Sequence, residues 1–307
     1  MNAWKQVVRN LPVVSSIYPH LSRLKKDTVM RLRFRTLRGD RVILPETGRS
    51  LYINPKEARG RAIFRCGANG QSDLRRFWRY ALETYKPQFA VDVGANYGEC
   101  VFSGNYGSVE RVIAVEANIE LKPWIERSHK DHADHDRIEL IFALAASESQ
   151  KDRTLYVDKT WSGTSSAMGN HAEHQLEEVS VDSVCLDDVL ESSDLDGKTL
   201  LFKLDVEGYE EKVILGLRKA LALVGKSIGF IEFNNDFIDA TGSSASDFLK
   251  YLNQHFEVLV PHPHGLKPLD LGQVTLENLQ GYFGESFETN LMLFSDTAAR
   301  DAFPFDT

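Results

Sequence analysis

The chain has 307 residues, of which 42% are hydrophobic and 26% are charged, a composition typical of a globular protein that holds one large α/β domain with additions. Its formal net charge of -8 at pH 7 argues against a nucleic-acid partner bound over a broad surface. The 3 cysteines are isolated and no apolar run approaches the ~18 residues of a membrane span, so we expect a cytoplasmic protein without a disulfide framework or zinc site.

Positive charge is concentrated at the N-terminus, where residues 1–41 carry ten Lys or Arg against two Asp, about +8, which leaves about -16 for the rest of the chain. We expect this segment to pack on the acidic body of the protein or to contact an anionic membrane surface. Its pattern predicts short helices and then a hairpin in which residues 29–37 pair with residues 41–45. We therefore divide the chain into a basic extension, residues 1–50, and a main domain, residues 51–307.

The main domain alternates strands with helices. After a helix predicted over residues 72–85, the predicted strands cover residues 89–93, 111–116, 138–145, 153–157, 177–184, 200–204, 228–233, 257–260 and 290–294. A helix is predicted to follow Gly98 and to reach about Asn105. This alternation predicts a doubly wound α/β fold with a mainly parallel sheet. A long polar segment at about residues 158–175 interrupts the pattern, and we interpret it as a functional lid.

The segment FAVDVGANYGEC at residues 89–100 leads an apolar strand into a glycine turn. Gly94 and Gly98 lack a Cβ, so the backbone can bend tightly and a ligand can come close. In α/β sheets, nucleotides bind at this carboxyl end of a strand. The carboxylate of Asp92 would repel a pyrophosphate but would attract a ligand with a cationic group. S-adenosylmethionine, which carries an ammonium and a sulfonium, fits this requirement.

The spacing of the turn also disfavours a dinucleotide. Gly94 and Gly98 form a G-x-x-x-G pattern, whereas the dinucleotide fingerprint is G-x-G-x-x-G. The next strand ends in Glu116, roughly 20 residues after the glycines, where an acidic residue commonly binds the ribose hydroxyls. Together the two features favour a cofactor site over a plain strand-to-helix turn.

A second group of charged residues follows a central strand, in the segment LLFKLDVEGYEE at residues 200–211. If the strand continues that far, alternation places Lys203, Asp205 and Glu207 on the same side. Like charges held close together raise the pKa of one carboxyl group and prepare an acid–base pair. An acidic helix N-terminus explains the acids after Gly208 but explains Asp205 poorly. The pattern therefore favours a functional role for Asp205.

Five segments of the chain carry a family resemblance. They are VDVGANYGE at 91–99, AVEAN at 114–118, LDDVL at 186–190, FKLDVEGYE at 202–210 and FIEF at 230–233. Together they resemble the FkbM-type S-adenosylmethionine-dependent methyltransferases. The resemblance implies a class I methyltransferase-like, seven-stranded sheet. The helix and hairpin extension predicted before it, residues 1–50, matches no family motif. The resemblance also implies an O-methyltransferase that acts on a sugar hydroxyl in a polysaccharide, glycolipid or secondary metabolite.

The resemblance further implies roles for residues at the strand ends. The implied cofactor contacts are Asp92, Gly94, Asn96 and Gly98 for the methionine part, Glu116, Ala117 and Asn118 for the ribose, and Phe142 and Ala143 for the adenine. Asp205 and Glu207 would lie near the reacting methyl group, and one of them would be the base.

Several alternatives stay open at this stage. We predict no metal, although Asp205 with Glu232, Asn234 and Asn235 could offer hard oxygen ligands to a divalent ion. A non-catalytic scaffold that kept the cofactor-binding fold is a second possibility, but it predicts a degraded FKLDVEGYE segment, and here the segment is intact. An NAD-dependent oxidoreductase predicts G-x-G-x-x-G, which is absent. The acceptor is expected to be a small-molecule or glycan hydroxyl, and the oligomeric state stays open.

Overall fold

The computed structural model describes residues 39–66, 72–159, 161–165, 167, 176–263 and 265–305. The chain divides into two units, Met1–Asp40 and Arg41–Thr307, and nearly all the described residues belong to the second. The predicted N-terminal helices and the first strand of the predicted hairpin lie outside the described residues, as does part of the predicted lid. The returning strand of the hairpin is present as β1 (Arg41–Ile43), and it pairs antiparallel with β2 (Ser50–Tyr52).

A seven-stranded sheet forms the centre of the second unit. Its middle strand is β9 (Thr199–Leu204), flanked on one side by β3 (Phe89–Val93), β4 (Arg111–Val115) and β5 (Ile138–Ile141), and on the other by β10 (Lys226–Asn234), β12 (Glu288–Phe294) and β11 (Glu257–Leu259). Five neighbouring strands of this sheet, β5, β4, β3, β9 and β10, are parallel to one another. Strand β12 runs antiparallel to both of its neighbours, β10 and β11. The prediction of a doubly wound, mainly parallel, seven-stranded α/β sheet is confirmed.

Helices and a second, smaller sheet surround the central one. The small sheet has the strand order β6 (Leu144–Ala146), β8 (Leu176–Cys185) and β7 (Gln150–Asp158). The α-helices among the described residues are α1 (Ala58–Cys66), α2 (Ser72–Tyr85), α3 (Lys122–Lys130), α4 (Leu186–Leu190), α5 (Glu210–Leu215), α6 (Arg218–Leu223), α7 (Asn235–Ala240), α8 (Ala245–His255), α9 (Leu276–Phe283) and α10 (Thr297–Ala302). None of them has the length and apolar character needed to cross a lipid bilayer.

The central strand β9 shows how the sequence pattern builds two cores. Leu200, Phe202 and Leu204 pack into the core on one face of the sheet, and Leu201 packs into the core on the other. Burial on both faces explains why these strands are continuous apolar runs. Gly229 on β10 makes room for Phe202, because a Cβ there would lie 2.3 Å from the phenyl ring.

The structure corrects two predicted elements. The strand predicted over residues 138–145 is broken at Phe142 and Ala143, so β5 belongs to the central sheet and β6 to the small one. The helix predicted after Gly98 is a turn followed by one 3-10 turn, Val101–Ser103. A longer helix would need the N–H and the carbonyl of Val101 for its own hydrogen bonds, but side chains bind both groups. Asp92 accepts from the Val101 N–H at 3.1 Å, and the Tyr106 hydroxyl donates to the Val101 carbonyl at 2.6 Å.

Phe202→Ala is expected to lower the free energy of unfolding by about 3–5 kcal/mol, because it removes a fully buried ring and leaves a cavity against Gly229. Denaturant unfolding of the purified variant measures this loss. Leu223→Ala is the control, because Leu223 is 57% exposed and its truncation should cost less than about 0.5 kcal/mol. Equal losses in the two variants would contradict the core packing described for β9.

Candidate active site

A cavity of ≈ 330 Å³ opens at the carboxyl ends of β3, β4 and β9, within the size range of small-molecule sites. Three strand ends, the loop after β7 and the first turn of α1 contribute to its walls. The lining residues used below are Arg59, Gly94, Asn96, Glu116, Ala117, Ala143, Trp161, Ser162, Lys203, Asp205, Glu207, Glu232, Phe237 and Glu288. Polar and charged side chains therefore converge on one cavity at the sheet edge.

The glycine turn after β3 packs directly on the turn after β9. Gly94 has a φ of +72°, and a Cβ on it would lie 1.8 Å from the backbone oxygen of Asp205. Gly98, with a φ of +83°, approaches the ring of Phe102 so closely that a Cβ would lie 2.3 Å from it. Only glycine fits both the conformation and the space at these positions, so Gly94 lets the two turns touch and Gly98 lets its own turn close on Phe102.

A buried ammonium group links the same two turns. Lys203 Nζ lies 3.3 Å from an oxygen of Asp92 and 3.4 Å from an oxygen of Asp205, and it donates to the Gly94 and Val93 carbonyls at 2.7 and 3.2 Å. Burial by itself lowers the pKa of Lys203, but the carboxylates of Asp205 and Asp92 outweigh it and raise that pKa above its usual range. Lys203 therefore stays charged and holds Asp205 in place.

Glu116 holds the turns that follow β3 and β4. One carboxylate oxygen accepts from the Asn96 N–H at 2.7 Å, and the other accepts from the Asn118 N–H, also at 2.7 Å. Burial raises the pKa of Glu116, and the two backbone hydrogen bonds oppose that shift in part. Each oxygen keeps acceptor capacity beyond its one hydrogen bond, and the side chain lines the cavity. Glu116 can therefore accept from ligand hydroxyls.

Three carboxylates gather on one side of the cavity. Oxygen atoms of Asp205, Glu207 and Glu232 all lie within 4.8 Å of one another, and Glu288 lines the cavity as well. Burial, followed by the charge of Asp205, raises the pKa of Glu207 and of Glu232 well above the usual range. Like charges this close oppose one another's ionisation, so the group can keep a proton to higher pH than an isolated carboxyl group would.

The structure changes the reason why Asp205 and Glu207 meet. Strand β9 ends at Leu204, so strand alternation does not place them. They lie on a turn in which Glu207 has a φ of 54° and Gly208 a φ of 96°. Gly208 is required here, because a Cβ would lie 2.6 Å from the backbone of Phe237. The left-handed turn, not the strand, brings the two carboxylates together.

The two asparagines considered as metal ligands have structural roles. The side-chain oxygen of Asn234 accepts from the Phe237 N–H at 3.1 Å and caps α7. The side-chain oxygen of Asn235 accepts from the Phe287 N–H at 2.8 Å. Their oxygens are thus engaged by the backbone, and a metal set that includes Asn234 and Asn235 is not supported.

The structure brings together seven of the eleven predicted site residues. Those that line the cavity are Gly94, Asn96, Glu116, Ala117, Ala143, Asp205 and Glu207. The others have different surroundings: Asp92 contacts Lys203, Gly98 faces Phe102, Asn118 accepts from the Glu120 N–H at 3.1 Å, and Phe142 lies under Lys122. Their part in ligand binding stays a prediction.

Sequence reasoning missed Arg59, Trp161 and Ser162 as cavity residues. Arg59 lies on α1, a helix that the pattern did not predict, and it forms an ion pair with the buried Glu99. Its guanidinium lies 5.9 Å from the centre of the Trp161 ring. An aromatic residue inside an otherwise polar loop was the available signal for Trp161, whereas nothing in the sequence pattern distinguished Arg59.

A family model described as the methyltransferase FkbM domain matches residues 92–258, which is more than half of the chain. The matched segment contains the glycine turn, Glu116, Lys203 and the carboxylates Asp205, Glu207 and Glu232. None of the curated proteins matches the chain.

Three solved structures illustrate the proteins whose fold is similar to that of this chain. An O-methyltransferase from Bacillus cereus in complex with SAH is 10% identical, with 74% of this chain and 82% of that chain covered and a TM-score of 0.39. A precorrin-6y C5,15-methyltransferase from Geobacter metallireducens is 11% identical over 72% and 87% of the chains, with a TM-score of 0.34. An rRNA methylase from Streptococcus thermophilus is 12% identical over 73% and 96%, with a TM-score of 0.38.

Gly94→Ala is expected to lower the free energy of unfolding by about 2–5 kcal/mol, because the new Cβ would meet the Asp205 backbone oxygen and the φ of +72° disfavours a side chain. Gly48→Ala is a matched control, since Gly48 has a φ of +70° and nothing within 4 Å of the added Cβ. That variant should lose only about 1–2 kcal/mol. Denaturant unfolding of both variants measures the difference, and equal losses would contradict the close packing of the two turns.

Proposed function

The chain belongs to the FkbM methyltransferase family, and from this premise we propose that it transfers a methyl group from S-adenosylmethionine to a hydroxyl oxygen. The observation that carries the proposal is the gathering of Asp205, Glu207 and Glu232 in the same cavity as the glycine turn and Glu116. That cavity unites the groups needed to hold a nucleoside cofactor with the groups needed to take a proton from an acceptor.

The cofactor end of the cavity fits an adenosine-containing ligand. Glu116 presents carboxylate oxygens that suit the two ribose hydroxyls, and its hydrogen bonds to the backbone fix their position. Ala117 and Ala143 add small apolar side chains beside it, which suits a flat base. Gly94 and Asn96 leave the turn after β3 open toward the cavity. These residues would hold the cofactor, which supplies an electrophilic methyl group on its sulfonium when bound.

The carboxylate side of the cavity supports an oxygen acceptor. A hydroxyl is a weak nucleophile until its proton begins to leave, and a positioned base contributes typically 10²–10⁴-fold to the rate. Asp205 and Glu207 are the proposed bases, and Lys203 fixes the orientation of Asp205. The raised pKa of Glu207 makes it a stronger base once it has lost its proton. Neighbouring carboxyl groups then offer a place to which the proton can pass.

The charge of the cavity supports an uncharged acceptor. Asp205, Glu207, Glu232 and Glu288 line the cavity, and those of them that are ionised would repel a phosphate or carboxylate beside the reacting hydroxyl. A sugar hydroxyl of a glycan, glycolipid or secondary metabolite is uncharged and fits this surface. The same negative charge makes a broad nucleic-acid contact unfavourable here. Contact of the basic N-terminal extension with an anionic membrane stays a separate proposal.

Asp205→Asn keeps the shape of the side chain but removes the proton acceptor. If Asp205 is the base, turnover should fall about 10²–10⁴-fold, whereas the affinity for S-adenosylhomocysteine should change less than about tenfold. The assay follows methyl transfer to sugar-nucleotide and lipid-linked glycan extracts, with calorimetry on the same preparation. Asp196→Asn, at an exposed position, is the matched control and should leave both quantities unchanged.

This substitution, together with chelator treatment of the wild-type enzyme, distinguishes three roles for Asp205: base, structural residue and metal ligand. Near-normal turnover of Asp205→Asn would contradict Asp205 as the base and leave Glu207, whose Glu207→Gln variant is measured in parallel. A joint loss of melting temperature and cofactor affinity would show that Asp205 is structural. A wild-type enzyme silenced by chelator and restored by Mg²⁺ would show that a metal, which the proposal does not need, is held by the carboxylates.

The pH dependence of turnover tests the carboxylate group as a whole. Burial, Asp205 and Glu288 keep the pKa values of Glu207 and Glu232 raised, so these groups hold their protons to higher pH and turnover should rise as pH increases through those values. Glu288→Gln removes one negative charge and should move the acidic limb of the kcat profile to lower pH. Glu285→Gln, an exposed neighbour, is the control. An unchanged limb in Glu288→Gln would argue against a base within this group.

A further inference from the structure

The cavity has little positive charge to offer to an anionic group. Among the described residues that line it, Arg59 and Lys203 are the cationic ones. Lys203 has three N–H donors, and its Nζ is already surrounded by two carboxylates and two backbone carbonyls. A ligand carboxylate would therefore find no donor left on Lys203, and Arg59 is the cation that stays available.

Arg59 keeps hydrogen-bond capacity after its protein contact is counted. One of its terminal nitrogens forms the ion pair with Glu99, whose side chain is buried. A guanidinium has five N–H donors in a planar fork, so the pair with one Glu99 oxygen leaves donors for a ligand. The guanidinium also lies over the Trp161 ring, 5.9 Å from its centre, within the range of a cation–π contact. The side chain is thus both oriented and able to bind a second carboxylate.

Glu57 fixes the position from which Arg59 reaches the cavity. Its carboxylate accepts from the backbone N–H groups of Arg59 at 2.8 Å and Gly60 at 2.7 Å, which anchors the first turn of α1. The same carboxylate accepts from the Tyr97 hydroxyl and from the Ser162 N–H, both at 2.9 Å. Tyr97 belongs to the glycine turn and Ser162 to the loop after β7. Arg59 is therefore held between these two walls of the cavity.

We propose that Arg59 binds the α-carboxylate of the amino-acid part of the cofactor, with Glu57 as the residue that positions it. The inference rests on the proposed function, because it takes S-adenosylmethionine as the cofactor. That carboxylate is an anion that the acidic side of the cavity would repel, and a guanidinium binds a carboxylate through two parallel N–H···O bonds. Arg59 lies outside the segment 92–258 that matches the family model.

The test compares two ligands that differ only in the carboxylate. Calorimetry measures S-adenosylhomocysteine and its decarboxylated analogue against the wild-type protein and against Arg59→Gln and Arg59→Lys. Arg59→Gln should weaken S-adenosylhomocysteine about 10–100-fold, as expected for the loss of charged hydrogen bonds, and should change the affinity for the analogue less than about threefold. Arg59→Lys keeps the charge but not the fork, so its loss should be smaller.

Controls keep the outcome specific. Arg65→Gln removes the same charge from the exposed side of α1 and should leave both affinities unchanged. If Arg59→Gln does not fold, the two ligands are compared on Arg59→Lys instead. The loss of affinity must then still be confined to S-adenosylhomocysteine, the ligand that has the carboxylate. An equal loss for both ligands would overturn this inference alone, because Arg59 would then only shape the cavity. A wild-type protein that binds neither ligand would overturn the proposed function and this inference with it.

Discussion

The buried ammonium of Lys203 is the interaction on which the site depends. It lies between the carboxylates of Asp92 on β3 and Asp205 after β9, and both Lys203 and Asp92 are shielded from solvent. Removing one partner from a buried ion pair costs about 3–5 kcal/mol, since the remaining charge is left without compensation. The two turns that form the cavity are therefore bound to each other, and the glycine at position 94 lets them touch.

The ion pair with Lys203 defines the role of Asp92, which its position in the sequence indicates only in part. An acid at the end of a strand before a glycine turn indicates a cationic partner, and the structure supplies one from within the protein, Lys203. Sequence alone does not decide between an internal and an external cation. Both faces of β3 are buried, so strand alternation gives no exposed side from which the direction of Asp92 could be inferred. Under the proposed function, cofactor contacts would fall to neighbours such as Asn96 and Glu116, which line the cavity.

Much of the architecture could be predicted because it depends on local patterns. Strands β3, β4 and β9 could be predicted because each is an apolar run that ends at a glycine or an acidic residue. A parallel sheet places the ends of these strands at one edge, and Glu116, Asp205 and Glu207 do lie there. What could not be predicted depends on contacts between distant segments. Arg59 reaches the cavity because Glu57 bonds to Tyr97 and Ser162, residues 40 and 105 positions away. The break of the strand at Phe142 likewise depends on the small sheet that follows it.

We propose that this cavity binds S-adenosylmethionine and not a dinucleotide. The most direct test is a calorimetric titration of the wild-type protein with S-adenosylhomocysteine and, separately, with NAD. We expect S-adenosylhomocysteine to bind with a Kd of about 1 µM or tighter, which corresponds to about -8 kcal/mol, and NAD to give no heat of binding. Binding of NAD without binding of S-adenosylhomocysteine would contradict this proposal.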